Sequence, residues 1–209
     1  MRLLELFCGT KSISLVAKEF GFDVLTLDNN PFFNADIIAD ILDVENARLI
    51  GFNPDVIWAS PPCTTFSVAS IGTHWKGIYE PKTEMAKIGI ALLEKTINII
   101  KMLKPTYFFI ENPRGVMRKV IKDLPTDAVR HTVSYCQYGD TRMKPTDIWT
   151  NCKNWIPKTI CKNGDSCHEK APRGAKTGTQ GLKGAMERGK IPRKLCEEII
   201  MAVSGKDGA

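Results

Sequence analysis

Nowhere does an apolar run approach the roughly 20 residues that cross a bilayer, so no membrane-spanning helix is expected. Met1 to Gly9 is too short for a secretory leader and carries Glu5, which points to a protein that stays in the cytosol. No internal repeat is present. Paired cysteine spacing is lacking as well. The seven cysteines are odd in number and irregularly placed, which argues against a disulfide framework and for free thiols, a metal site or a nucleophile. With 43% apolar and 25% charged residues, disorder and fibrous classes are excluded. A length of 209 residues holds one full domain and a small appendage, not two large domains.

The net charge of +6 is unevenly distributed. Arg142 to Lys194 carries thirteen Lys and Arg against four Asp and Glu, and the rest of the chain is slightly acidic. A cationic stretch beside a near-neutral body suits a polyanion, since phosphate neutralisation drives most non-specific nucleic-acid affinity. A solvated charged loop is the plainer reading of the same residues.

Residues 1–150 alternate short apolar runs with longer amphipathic stretches, the rhythm of an α/β protein with a mostly parallel sheet. Strands are expected at Leu3 to Phe7, Asp23 to Leu27, Asp36 to Ile38, Asp55 to Ala59, Tyr107 to Ile110, Thr132 to Gln137 and Asp147 to Thr150. Helices are expected at Lys11 to Phe20 and at Met85 to Leu103, the latter with an apolar stripe at Ile88, Leu92, Ile99 and Leu103 and a stop before Pro105. Residues 151–190 are rich in Gly, Lys and Thr and read as a short basic insert. A closing helix over 191–204 packs back on the first unit, and Gly205 to Ala209 reads as a frayed tail.

Two strand ends carry the chemistry. Ser60-Pro61-Pro62-Cys63-Thr64-Thr65-Phe66-Ser67 puts a cysteine on the loop leaving a buried strand, where the proline pair ends the ladder. Phe108-Phe109-Ile110-Glu111-Asn112-Pro113 puts a carboxylate at the end of another buried strand. Ligands of open α/β sheets bind at that edge. Alone, Cys63 is a small buried hydrophobe and Glu111 a strand-end cap; occurring together at one edge, they read as a thiolate and an acid sharing a substrate.

With these motifs the sequence resembles the C5-cytosine DNA methyltransferases over about Leu3 to Ile148 and again in the last helix. The resemblance implies a Rossmann-like, S-adenosylmethionine-dependent methyltransferase fold and DNA as partner, held in part by the basic segment 142–194. It further implies that Cys63 adds to cytosine C6, that protonated Glu111 donates toward N3, and that C5 then takes the methyl group. The target atoms lie inside a stacked duplex, so the base is flipped out or the substrate is single-stranded. Thr64 to Pro81 becomes the expected lid, with His74, Trp75 and Tyr79 available to cover nucleotide.

Leu4-Glu5-Leu6-Phe7-Cys8-Gly9-Thr10-Lys11-Ser12 resembles the family's cofactor turn, which implies cofactor contacts from Phe7, Gly9, Thr10 and Ser12. Lys11 stands where glycine is usual, and is compatible with binding if its φ is negative. Asp28 falls where the family binds ribose hydroxyls and Asp40-Ile41 where it holds adenine, with a helix-cap or turn role as the plainer reading of each aspartate. Pro62 and Leu92 carry over as pocket walls. Tyr135 to Thr146 resembles a family strand on which Arg142 or Lys144 would hold cytosine O2 or a flanking phosphate. Gly189-Lys190-Ile191-Pro192 resembles the family's closing segment, with lysine in place of the usual asparagine.

Only about 40 residues stand where the family places a target-recognition domain, which implies loose or very short sequence specificity. Cys152, Cys161, Cys167 and His168 fall within this insert; unpaired thiols in a flexible loop, with no metal, are the default reading of them, and a structural zinc held by the four is the alternative. Two other readings stay open: a pyrimidine methyltransferase acting on RNA or free nucleotide, and a non-catalytic nucleic-acid-binding module.

Overall fold

The computed structural model describes residues 1–170 and 184–205. In chain order the elements are β1 (Arg2–Leu6), α1 (Ser12–Glu19), β2 (Asp23–Asp28), β3 (Ile37–Ile38), α2 (Asn46–Phe52), β4 (Val56–Ala59), α3 (Ile71–His74), β5 (Trp75–Lys76), β6 (Glu80–Pro81), α4 (Glu84–Leu103), β7 (Tyr107–Pro113), α5 (Met117–Val120), β8 (Val129–Ser134), β9 (Pro145–Thr150), α6 (Ala185–Gly189) and α7 (Arg193–Ser204). Seven strands form one sheet in the order β3-β2-β1-β4-β7-β9-β8. The first five in that order are parallel; β9 runs antiparallel to both β7 and β8. The expected mostly parallel sheet is what the chain forms.

Period-two alternation gives this sheet two apolar faces. Leu4, Leu6, Ile57, Ala59, Phe108 and Ile110 point to one side, where Leu93, Ile97 and Ile100 of α4 and Leu49 of α2 cover them. Leu3, Val56, Trp58 and Phe109 point to the other, under Ile13, Val16 and Ala17 of α1 and Leu195, Ile199 and Ile200 of α7. The closing helix therefore packs on the first one, and the two chain ends stabilise a single layer.

Helix α4 starts where the Thr83 hydroxyl accepts the Ala86 N–H at 3.3 Å, and ends at Lys104 in left-handed conformation just before Pro105. Three residues of the expected stripe pack on the core, Ile99 fully buried and Leu92 and Leu103 half-buried against it, and one does not. Ile88 is exposed, and Ala86, Gly89, Leu93, Thr96, Ile97 and Ile100 face inward. The bare Cα of Gly89 lets this face approach Thr65 and Phe66, which leaves Ile88, one position before it, on the outer side. The expected strand through Gln137 also stops early, at Ser134, and becomes a one-turn 3-10 helix over Tyr135–Tyr138 closed by Gly139 at φ 87°. Residue 205 ends α7 in left-handed conformation, and the rest of the expected tail lies outside the described residues. Among the described residues no helix is long and apolar enough to cross a membrane.

Strand order reverses direction between β1 and β4. Chain growth runs from β1 outward to β3 on one side and from β4 outward on the other, which opens a crevice beyond the carboxyl ends of those two strands.

Candidate active site

The crevice is a cavity of about 570 Å³, within the usual range for a small-molecule site. Its floor is the turn after β1: Phe7, Cys8, Gly9, Thr10 and Ser12 line it together with buried Glu5. Three residues of this turn, Phe7, Gly9 and Lys11, have φ of 59°, 46° and 57°. Lys11 thus departs from the negative φ on which its compatibility was argued, and adopts the conformation glycine takes most easily. Its ammonium donates to the Asn34 carbonyl at 2.6 Å, away from the turn, so the backbone path stays open despite the side chain.

Opposite the turn, Ser60, Pro61, Pro62, Cys63 and Thr64 follow β4, and Glu111 projects from β7 into the same space. Asn112 beside it is fully buried and donates its amide to the Pro61 carbonyl at 2.8 Å, tying the β7 end to the cysteine loop. A second tie comes from the Phe66 carbonyl, which accepts the Val116 N–H at 2.7 Å. Lys144 completes this wall. Its ammonium sits 4.5 Å over the Tyr135 ring and donates to the Arg188 carbonyl at 2.9 Å. The Tyr135 hydroxyl in turn donates to Glu111 Oε1 at 2.9 Å.

Electrostatics separate the two cysteines of the cavity. Burial, reinforced by Glu5 and Asp28, pushes the Cys8 thiol up to about 12. Cys63 is an exposed residue at the cavity; desolvation and Glu111 raise its thiol as well, but Lys144 and Arg188 oppose them, which sets cations beside its sulfur. Burial lowers Lys144, with Glu111 acting against it. Tyr135 is held well above its ordinary range by burial and by Glu111, and serves as a neutral donor. Glu5 is pushed up to about 8 by burial, with the Ser14 N–H donating to it at 3.2 Å.

Other expected contacts are placed differently. Asp28 does not line the cavity; it accepts the Gly9 N–H at 2.9 Å and the Asn30 N–H at 2.9 Å, and so shapes the turn from behind. Asp40 accepts the Leu42 N–H at 2.9 Å, the turn role that was the plainer reading, while Ile41 is buried in the core. Leu92 packs against the same core cluster and is not a pocket wall. Arg142, expected at the base or a phosphate, is buried and points the other way. It pairs with Asp140 and donates to the carbonyls of Glu187, Arg188 and Lys190 at 3.4, 3.1 and 3.5 Å. Its guanidinium thus holds the segment before α7 as a strap over the cavity, and Met186, Arg188, Gly189 and Ile191 of that strap line it. The Ile191 N–H reaches across to the Ser12 hydroxyl at 3.2 Å, closing the strap onto the turn. Trp75 is buried against Phe66 and donates to the Thr65 carbonyl at 2.6 Å, a support beneath the loop and no cover for nucleotide. His74 is 2.7 Å from the Thr83 hydroxyl, and Tyr79 packs on the core. Cys152 is buried in the core beneath the sheet, apart from Cys161, Cys167 and His168.

Sequence reasoning missed Glu5, Phe33, Tyr135 and the Met186 and Arg188 part of the strap as site residues; Gly189 and Ile191 stood in the segment read as the family's closing one. Glu5 and Tyr135 each stood in a quoted motif, but nothing in their spacing shows that one faces the cavity and the other Glu111.

Residues 1–131 match the family of C-5 cytosine-specific DNA methylases. A protein of Frog virus 3 (isolate Goorha), named "Probable DNA (cytosine-5)-methyltransferase", is 31% identical over 219 residues, covering 96% of this chain and 99% of its own. The chain belongs to the C-5 cytosine-specific DNA methylase family. The methyl donor of that family is S-adenosylmethionine. Solved structures with the same fold include a Schizosaccharomyces pombe Dnmt2 methyltransferase (TM-score 0.51, 17% identity, 75% of this chain and 52% of that one) and the Entamoeba histolytica methyltransferase EhMeth (TM-score 0.54, 13% identity, 78% and 57%). This methylase thus spans just over half the length of those two solved structures, and nearly the whole of its viral relative.

The cavity suits the donor. Glu5 is a buried carboxyl at its floor whose hydrogen-bond partner is Ser14 and on which Lys11 acts through charge alone among the described residues, a group that a ligand bearing a sulfonium and an ammonium complements. Beside it, Thr10 and Ser12 offer hydroxyls and Phe7, Phe33 and Pro62 offer apolar surface.

Proposed function

We propose that this chain methylates C5 of cytosine in DNA through a covalent bond between Cys63 Sγ and C6, with loose or very short sequence preference. One observation carries the reading: a single cavity is lined on one side by Cys63, Glu111 and Lys144 and on the other by the Phe7–Ser12 turn.

S-adenosylmethionine supplies an electrophilic methyl group when bound, and Glu5, Phe7, Gly9, Thr10, Ser12, Phe33 and Pro62 are the residues that would hold it. The rest is done by the chain. Cytosine C5 is too weak a nucleophile until C6 is saturated, so Cys63 Sγ attacks C6, losing its proton as the S–C bond forms. The C5–C6 π pair shifts toward the ring nitrogens, and Glu111 donates a proton at N3 to stabilise it. Lys144 lowers the cost of the thiolate, and the Tyr135 hydroxyl fixes the orientation of Glu111. After C5 is alkylated, water takes the C5 proton, the freed electron pair re-forms the C5–C6 double bond and expels Cys63 as thiolate, and N3 returns its proton to Glu111, which restores the aromatic ring.

Residues 151–190 stand in place of a recognition domain in this reading, so phosphate contacts supply most of the DNA affinity. The test is transfer of labelled methyl groups to duplex DNA, single-stranded DNA and RNA by the parent and by Cys63→Ser, with product sequencing. Label at DNA cytosine that the variant abolishes supports the proposal; label in RNA alone overturns the substrate, and undiminished transfer by Cys63→Ser overturns the covalent step. Oligonucleotides carrying 5-fluorocytosine, which cannot lose fluorine as a proton is lost, should remain bonded to the parent and not to the variant.

A further inference from the structure

Away from the cavity, Cys136, Cys161, Cys167 and His168 converge, with one ligand atom from each lying within 4.8 Å of all the others. The four come from two stretches of chain. Cys136 sits in the 3-10 turn after β8, and the other three in the region between β9 and α6, where residues 151–170 form neither helix nor strand. Cys136 Sγ is 3.2 Å from Cys161 Sγ and 3.6 Å from Cys167 Sγ, and His168 Nδ1 is 3.7 Å from Cys161 Sγ and 3.6 Å from Cys167 Sγ. A tetrahedral zinc with Zn–S near 2.3 Å and Zn–N near 2.05 Å sets its ligands about 3.8 Å apart for S···S and about 3.6 Å apart for S···N. Both sulfur–nitrogen separations match such a shell, the two sulfur pairs are contracted, and the remaining pairs lie within 4.8 Å.

We propose that Cys136, Cys161, Cys167 and His168 bind one structural zinc ion, with Cys136 and not Cys152 as the fourth ligand. The set is closed: three thiolates and one imidazole leave no position for water, as in structural and not catalytic zinc sites. Supporting polar contacts are in place around it. The Gln137 amide donates to Cys167 Sγ at 3.4 Å, and the Cys161 N–H donates to the Ser134 hydroxyl at 3.2 Å. The region also needs a fastening. Over 151–170 the residues with buried side chains are Cys152, Trp155 and Cys161, so apolar burial alone supplies little to order the loop. Zinc at this point staples that loop to the turn beginning at Tyr135, whose hydroxyl holds Glu111. The ion thus acts on the site through position, with no contact to substrate.

The test uses the full chain purified under reducing conditions without chelator. Metal analysis should find one zinc per chain, falling to near zero in Cys136→Ser and in Cys161→Ser and unchanged in Cys152→Ser. Replacement by cobalt in the parent, which requires no variant to fold, should give the intense visible bands of a tetrahedral site with thiolate-to-metal charge transfer in the near ultraviolet. Chelation should raise the count of reagent-accessible thiols by three. A parent that neither carries zinc nor takes up zinc or cobalt under reduction overturns the proposal. Loss of metal in Cys152→Ser with retention in Cys136→Ser overturns the ligand set.

Discussion

Gly115 stands where the cysteine loop leans on the end of β7, and adding one methyl group there is the sharpest test of that support. A Cβ on residue 115 would lie 2.1 Å from the Phe66 carbonyl oxygen and 3.2 Å from its carbon. Ordinary contact demands more than 3 Å, so backbone must move by about an ångström. The obstacle cannot swing away as a side chain does, because the same carbonyl accepts the Val116 N–H at 2.7 Å and Ser67 bridges to Gly115. Overpacking costs about 1–3 kcal/mol and the strained hydrogen bond about 1 kcal/mol more, giving roughly 2–4 kcal/mol for Gly115→Ala. For a chain of this size that lowers the melting temperature by roughly 4–16 °C. Phe66 lies three residues from Cys63, so a displaced carbonyl shifts the proposed nucleophile, and misplacement by an ångström can reduce turnover on the order of a hundredfold. Two other glycines calibrate the result. At Gly89 the nearest atom is the Thr65 hydroxyl at 2.7 Å, a side chain that can rotate, so Gly89→Ala should cost less. At Gly72 nothing lies within 4 Å, and Gly72→Ala should be neutral or slightly stabilising. The assay is thermal melting together with single-turnover methyl transfer. A Gly115→Ala protein as stable and as fast as Gly72→Ala would refute the argument.

Three further outcomes follow from the same geometry. Burial raises Glu5 to about 8 from its ordinary 4.5, so the folded chain keeps a proton that the unfolded chain releases in that window. Stability from this group is complete below about pH 4.5 and falls as pH rises toward 8, by up to about 1.4 kcal/mol per unit. Glu5→Gln should flatten that slope in urea melts at several pH values, and an unchanged slope assigns the titration elsewhere. Tyr135→Phe removes the donor 2.9 Å from Glu111 Oε1 and should slow the chemical step roughly tenfold or more, in line with about 1–3 kcal/mol for an unsatisfied buried acceptor; unaltered single-turnover rates would leave Tyr135 without a positioning role. Arg142→Ala frees the strap of 187–190 and leaves Asp140 unpaired, so it should destabilise the fold by about 3–5 kcal/mol and raise the KM for the methyl donor more than that for DNA. The reverse pattern, lost DNA affinity with intact donor binding, would return Arg142 to the substrate.

What the sequence revealed was whatever depends on order along the chain. The proline pair after Ala59 stops a strand wherever that strand sits, so Cys63 was legible as a loop cysteine at a sheet edge. Glu111 was legible for the same reason, although β7 runs on through Pro113 because β9 pairs with it antiparallel and supplies partners that a parallel neighbour would not reach. Residues whose role depends on which way a side chain turns were not legible. Arg142 and Lys144 are two apart and equally cationic, yet one is drawn outward to Asp140 and the strap while the other, at φ 28°, lies over Tyr135 beside Cys63. Asp28 kept its place by the turn but spends its oxygens on backbone N–H groups. Cys136 escaped the metal reading because sequence proximity favoured Cys152, sixteen residues nearer the other ligands but buried in the core cluster and outside the group of four.

The inward turn of Arg142 also changes what the basic segment means. Of its cations, Arg142 is buried against Asp140, Lys144 serves the cavity wall, Lys190 pairs with Glu187, and Arg193 pairs with Glu19 and Glu197. Charge counted along the chain therefore overstates what is available to a phosphate backbone, and part of it is consumed in fastening the strap over the cavity and α7 to α1. Lys158, in the loop of the proposed zinc, is in a different position: among the described residues its ammonium donates to the Gln137 carbonyl and lies over the face of Tyr138, both neutral. Under the proposed reading the DNA-facing charge thus sits on the loop the ion fastens. A loop held by four ligands and two buried aromatic or thiol side chains can present lysines to phosphates, but offers little rigid surface from which to read base edges. Short recognition and dependence on phosphate contact then have one cause, the replacement of a recognition domain by a metal-stapled loop.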